Sequence, residues 1–422
     1  MAFVSTFSQF CLFFTFLISS SIAQTTSFTP KALVLPVTKD SATGQYTTQL
    51  SQRTPLFAIK LTVDLGGQYL WVDCDQNFTS STFRPAECNS EVCNLAEYRV
   101  CGGGFCSLYP YNPITNTATI GQLAQDVVSL QSTDGSNPGS IVIAQRVLFT
   151  CGSTSLLEGL ANGVKGMAGL GRGPIGLASQ LSSAFSFSRK FAICLGEMGV
   201  IFFGDGPYNF LPDNNVSQSL IYTPLFINPI SAPGSFFPRE KSIEYFIGVK
   251  NIKIDEEPVS INSTLLNFFD KEGNGGTKIS TINPYTMMER SIYKAFTSAF
   301  AKALSGVPRV SPFAPFDVCF NSSHLGVTRV GPAVPTIDFV LQSPTDYWRI
   351  FGGNAMVQVK EDVLCLGFVD GGLNPGASIV IGIHQIENNL LEFDLARSRL
   401  GFTSTLYFQR TTCSNFNLTS NA

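Results

Sequence analysis

Two stretches of this chain repeat one pattern. In each, an apolar run enters a tight turn, and a second apolar run ending in glycine follows at nearly the same distance. In LTVDLGGQYLWVDCD the turn begins at Asp64, and Gly169 of GVKGMAGLGRG lies 105 residues further on; in GGTKISTINPYTMMER it begins at Ser280, and Gly382 of SIVIGIHQIENN lies 102 residues further on. At 422 residues the chain exceeds the size at which a single core stops growing, so a duplication on this scale predicts two similar lobes. They are expected over residues 24–205 and 243–422, with a connection over 206–242.

Abundant phenylalanine (36), glycine (37) and proline (23), with only 14% charged residues, suit many short strands joined by turns, so an all-β class with a few short helices is expected. KSIEYFIGVKNIKI and SRLGFTS alternate as strands do, whereas TMMERSIYKAFTSAFAKALSG has helical spacing that puts Met288, Ile292, Ala295 and Phe296 on one face. The formal charge of −3, with no basic run interleaved with aromatics, gives a nucleic-acid partner no support.

Residues 1–23 have an apolar centre too short to span a bilayer comfortably and end in Ser21-Ile22-Ala23, a small-x-small cleavage pattern, so they read as a signal peptide; no later segment reads as a membrane span. Its removal takes Cys11 and leaves ten of the eleven cysteines, an even number bound for an oxidising compartment, in which five disulfides are plausible and their pairing open. Sequons at Asn77, Asn215, Asn262, Asn321 and Asn417 fit the same compartment. With only His324 and His384, neither in a ligand-spaced set, no metal site is expected, and no cofactor is implied.

The segments VDLGGQYLWVDCD, GVKGMAGLGRGPIGLASQL, TRVGPAVPTIDFVLQ and IENNLLEFDLARSRLGF, in that order, resemble the bilobal pepsin-like aspartic protease fold. The closer resemblance is to the plant group that includes xyloglucan-specific endoglucanase inhibitor proteins, carrot extracellular dermal glycoprotein, legume basic 7S globulins and wheat xylanase inhibitors. It implies disulfides Cys74–Cys151, Cys88–Cys106, Cys93–Cys101, Cys194–Cys413 and Cys319–Cys365. Closing so long a loop as the fourth contributes roughly 4 to 5 kcal/mol in the chain-entropy picture.

Against that family's pattern the second half is degenerate. Aspartic protease chemistry needs two carboxylates about 3 Å apart sharing one proton. Asp64 keeps the first, while Ser280-Thr281-Ile282 stands where the family has Asp-Thr-Gly or Asp-Ser-Gly, removing both the acid and the turn glycine. Asp270 and Glu272, the nearby acids in sequence, are out of register with the turn. The flap differs too: Tyr111 is followed by Asn112, Pro113 and Ile114 and then Thr119-Ile120-Gly121, with the proline expected to stiffen it. Asp64 therefore reads as a structural carboxylate, and Asp64 and Ser280 as degenerate catalytic positions. A serine hydrolase built on Ser280 and His384 lacks a nucleophile elbow, and His384 reads as a packed or surface residue.

The resemblance implies a different use. The inhibitor members block microbial glycoside hydrolases by inserting C-terminal-lobe loops into the enzyme cleft. A retaining glucanase holds two carboxylates about 5 to 5.5 Å apart, which a planar, permanently charged guanidinium engages through paired hydrogen bonds. In the xyloglucanase-inhibitor branch two arginines do this, and the matching positions here are Arg329 in VTRVGPAVP and Arg410 in YFQRTTC. The histidine used near the last cysteine by the xylanase-inhibitor branch is replaced by Phe408, Gln409 and Arg410, which favours a glycoside hydrolase family 12 endoglucanase as partner. Arg397 and Arg399 match structural positions. The rival readings are a small-peptide-binding or storage protein resembling basic 7S globulins, a xylanase inhibitor, and a residual aspartic peptidase.

Overall fold

Each half folds around the repeated turn. The computed structural model describes residues 29–212, 214–231, 240–267, 269–343 and 345–419; the signal-peptide reading falls on residues outside this range. In the first half, strand Phe57–Asp64 buries Ile59, Leu61 and Val63, turns over Leu65–Leu70, and returns as Trp71–Asp73. Strand Gly166–Gly169 lies between the two, parallel to the first with Gly169 opposite Asp64 and antiparallel to the second. The second half repeats this with Thr277–Ile279, Thr286–Met288 and Ile379–Ile381. Its register brings the Ser280 amide onto the Ile381 carbonyl at 2.9 Å, so Ser280 occupies the turn position that Asp64 has in the first half.

The halves join through one continuous antiparallel sheet. Ala32–Lys39 pairs with Met198–Gly204, which pairs with Lys190–Cys194; that strand pairs with Leu390–Asp394, then Arg399–Phe402, then Ile221–Phe226. The seam is apolar at Phe191 and Phe393, whose rings stack with centroids 4.8 Å apart, and Tyr245 covers Phe393 while donating its hydroxyl to the Leu170 carbonyl at 2.7 Å. The buried Glu392 carboxylate is satisfied there by the hydroxyls of Tyr208 (2.8 Å) and Tyr222 (3.1 Å) and by the Lys190 ammonium at 3.6 Å.

Helix Arg290–Ala303 is capped by the Glu289 carboxylate, which accepts the Ser291 and Ile292 amides. Its buried stripe is Ile292, Tyr293, Phe296 and Phe300. The expected face shifts accordingly: Met288 ends the preceding strand, and Ala295 is only partly buried. The run 241–254 forms two short strands, Phe246–Ile247 and Asn251–Ile254, that join different sheets. Tyr245, Phe246 and Ile247 are all buried, which a single half-exposed strand forbids.

Five disulfides are formed, and two differ from the expected pairing. Cys74–Cys151, Cys194–Cys413 and Cys319–Cys365 agree, but Cys88 joins Cys101 and Cys93 joins Cys106. The hairpin of Val100–Gly102 with Phe105–Leu108 sets this, putting Cys101 at the exposed edge and Cys106 on the core. The buried Cys93, in the helix Glu91–Asn94, meets Cys106 inside, leaving the half-buried Cys88 to the exposed Cys101.

Candidate functional site

Between the lobes lies a cavity of about 280 Å³ whose floor carries both turns. Asp64 is 7% exposed; its Oδ1 accepts the Gly66 amide at 3.0 Å, and a Cβ on Gly67 would come within 2.9 Å of its Oδ2, so the turn needs glycine at Gly67. Burial, with the Glu244 charge beside it, pushes the Asp64 carboxyl up to about 7. In the other half the Ser280 hydroxyl oxygen accepts the amides of Ile282 (3.1 Å) and Asn283 (3.2 Å), holding its turn as a carboxylate would. Ile282, in place of the turn glycine, packs across onto the cluster that contains Tyr69, Trp71 and Met167.

Sequence reading missed the second acid of this cavity. It is Glu244, which flanks the same turn as Asp64: a Cβ on Gly66 would lie 3.4 Å from Glu244 Oε1 and 3.7 Å from Asp64 Oδ1. The Lys278 ammonium donates to Glu244 at 2.7 Å, so Glu244 is tied to a lysine rather than paired with Asp64. The sequence signal was slight, Lys278 two residues before Ser280. Asp270 instead organises an exposed turn, accepting the amides of Glu272 and Asn274.

The flap hairpin pairs Tyr111–Asn112 with Thr117–Ala118. Pro113 was expected to stiffen it, yet the stronger anchor is Asn112, fully buried, which donates to the carbonyls of Leu156 and Glu158 at 2.8 Å each and accepts the Ile114 amide. His384 is half-buried with its Nε2 3.0 Å from the Met356 carbonyl, and desolvation lowers its basicity. Neither the position nor the basicity suits a base acting on Ser280.

Arg329 and Arg410 lie away from this cavity. Arg329 is at the tip of a two-residue hairpin joining Val327–Thr328 to Gly331–Pro332, and Arg410 follows the 3-10 turn Tyr407–Gln409. Both loops rest on the short helix Gly352–Ala355: the Gly353 amide donates to the Val330 carbonyl at 2.7 Å, and the Phe351 ring that precedes the helix meets Phe408 with centroids 5.1 Å apart. Both arginines are exposed, and none of the ion pairs among the described residues involves either. Val327 (89% exposed) and Phe408 (57%) stand beside them. Arg397 and Arg399, by contrast, both bind Asp394.

Two family profiles match the chain, "Xylanase inhibitor N-terminal" over residues 46–205 and "Xylanase inhibitor C-terminal" over residues 244–404. The chain belongs to the xylanase-inhibitor family of pepsin-like proteins. A relative in this family, "Probable aspartic proteinase GIP2" of Nicotiana benthamiana, is 57% identical over 422 residues and 96% of each chain. The solved structure "Crystal structure of edgp" superposes with a TM-score of 0.91 at 52% identity, covering 93% of this chain and 100% of that one. "Crystal structure of Basic 7S globulin from soybean" gives 0.76 at 34% identity, covering 92% and 98%. The fold of the family is thus the bilobal pepsin-like one, with Asp64 and Ser280 at its paired turns.

Proposed function

We propose that the protein is a secreted, glycosylated and catalytically inactive member of this family that inhibits a microbial xyloglucan-specific endo-β-1,4-glucanase of glycoside hydrolase family 12 in the plant cell wall, as part of defence. Arg329 and Arg410 enter the enzyme's cleft and pair with its two catalytic carboxylates. The observation that carries the reading is that both guanidiniums, exposed and outside every ion pair among the described residues, sit on two loops fastened to one short helix. A loop held in its binding shape loses little further entropy on docking. Inactivity follows from Ser280, which supplies no second ionisable oxygen, and from Glu244, which is bound to Lys278.

The test is inhibition of a family 12 xyloglucanase by the purified protein, with Arg329→Ala and Arg410→Ala alongside and a family 11 xylanase as control. Inhibition of the glucanase alone, weakened by either substitution, supports the reading. No inhibition of either enzyme favours the peptide-binding or storage role of the basic 7S globulins, to which the chain is also similar.

A further inference from the structure

The inter-lobe cavity has properties that neither proteolysis nor the arginine loops use. Its lining is rich in aromatics: Tyr98, Tyr109 and Tyr111, all half-buried, with the buried Tyr69 and Trp71. The lining also offers Asp64, Ser280, Asn283 and the Lys278–Glu244 pair.

Charge narrows what fits. Lys278 cancels Glu244 at 2.7 Å, Lys241 stands exposed at the rim, and Asp64 is buried. Apart from Lys241 at the exposed rim and the buried Asp64, an ionic ligand would find its opposite charge already paired, so its entry carries a desolvation cost. A neutral ligand avoids it.

The backbone narrows it further. An extended peptide is held by unpaired main-chain donors and acceptors of the host. Here the floor amides are already engaged: Gly66 donates to the Asp64 side chain, Gly67 and Leu170 to the Asp64 carbonyl, Gly171 to the Gly67 carbonyl, and Ile282 and Asn283 to the Ser280 hydroxyl. Side chains are left to do the recognition, with a carboxyl, a hydroxyl, a carboxamide and an ammonium beside tyrosine faces. Such a set matches a molecule whose rim is hydroxyls and whose faces are C–H. A cavity of about 280 Å³ is at the lower limit for small-molecule sites and holds one or two hexose rings.

We infer that this cavity binds a short neutral oligosaccharide, its pyranose faces against Tyr98, Tyr109 and Tyr111 and its hydroxyls on Asp64, Ser280, Asn283 and the Lys278–Glu244 pair. The inference uses no residue of the arginine surface and stands or falls apart from it.

The experiment is saturation-transfer NMR and titration of the intact protein with cellobiose and with xylobiose, and with N-acetyl-dialanine amide as the peptide probe. Trp71 lines the cavity and Trp348 is buried elsewhere, so tryptophan emission in a Trp348→Phe background gives a second readout should that variant fold. Saturable binding of either disaccharide, weakened at least about tenfold by Tyr109→Ala and by Asn283→Ala with thermal unfolding unchanged, is the expected result. Absence of saturable binding, disaccharide binding indifferent to both substitutions, or preferential binding of the peptide probe would overturn it.

Discussion

The Thr281 hydroxyl oxygen accepts the Leu65 amide at 2.9 Å and the same hydroxyl donates to the Val63 carbonyl at 3.0 Å, so one buried side chain ties the second turn to the first. Its counterpart in the first turn is Leu65 itself, which has no hydroxyl to return the contact. The tie is one-armed, and Thr281→Val, equal in shape, strands a buried donor and a buried acceptor. A loss of about 1 to 3 kcal/mol is expected in urea unfolding, with Thr281→Ser recovering most of it. A Thr281→Val protein as stable as the parent would show that the lobes do not depend on this contact.

Asp64 should make stability fall as pH rises. Its folded carboxyl titrates at about 7 against the usual 3.8, so between those values the folded state holds a proton that the unfolded chain has released, and unfolding gains as pH increases. Above about pH 7 the ionised group costs roughly 4 kcal/mol relative to acid. Asp75 and Asp370, held below the usual range by the Thr154 and Gly372 amides, act in the opposite sense, their contributions being lost only as pH falls below the ordinary carboxylate range. Denaturant unfolding of Asp64→Asn should therefore be less pH-dependent than the parent between about pH 4 and pH 7. Identical profiles would mean that Asp64 ionises normally.

The duplicated turns were legible because a strand, a tight turn and a returning strand impose the same pattern twice, and Asp64 and Ser280 fell at matching positions. Glu244 was not, since it reaches the cavity through a connection 34 residues before Lys278 that carries no motif. The crossed pairs among Cys88, Cys93, Cys101 and Cys106 depend on which face of a short hairpin meets the core, and spacing alone leaves every pairing open. The run 241–254 was legible only in part: Asn251–Ile254 alternates as expected, but Phe246–Ile247 serves another sheet and is buried on both sides. That the Arg329 and Arg410 loops share the helix Gly352–Ala355 is a tertiary fact with no local signature.

Cys194–Cys413 joins residues 219 positions apart and sits inside an apolar cluster with Val200, Phe202 and Phe416. Removing it frees the largest loop in the unfolded chain, so a Cys194→Ala, Cys413→Ala double variant is expected to lose about 5 kcal/mol. It should also raise hydrogen exchange around Thr411–Asn415. Loss confined to that segment, with global unfolding unchanged, would contradict a role in joining the C-terminus to the first lobe.

Arg410 lies in the left-handed region, with φ 56° and ψ 32°, where a side chain is strained and glycine is not. Its neighbours over-determine that shape: Asn214 donates to the Gln409 carbonyl at 2.9 Å, the Gln409 carboxamide to Ser219 at 2.6 Å, and the Thr411 hydroxyl to the Leu211 carbonyl at 2.6 Å. An arginine where glycine would be easier fits the use proposed for its guanidinium. Arg410→Gly should therefore be more stable than Arg410→Ala by about 1 kcal/mol in thermal unfolding, while the two lose glucanase inhibition alike, by about 2 kcal/mol or more of affinity. If both variants inhibit as the parent does, the strain at this position has some other origin and the arginine is not the contact.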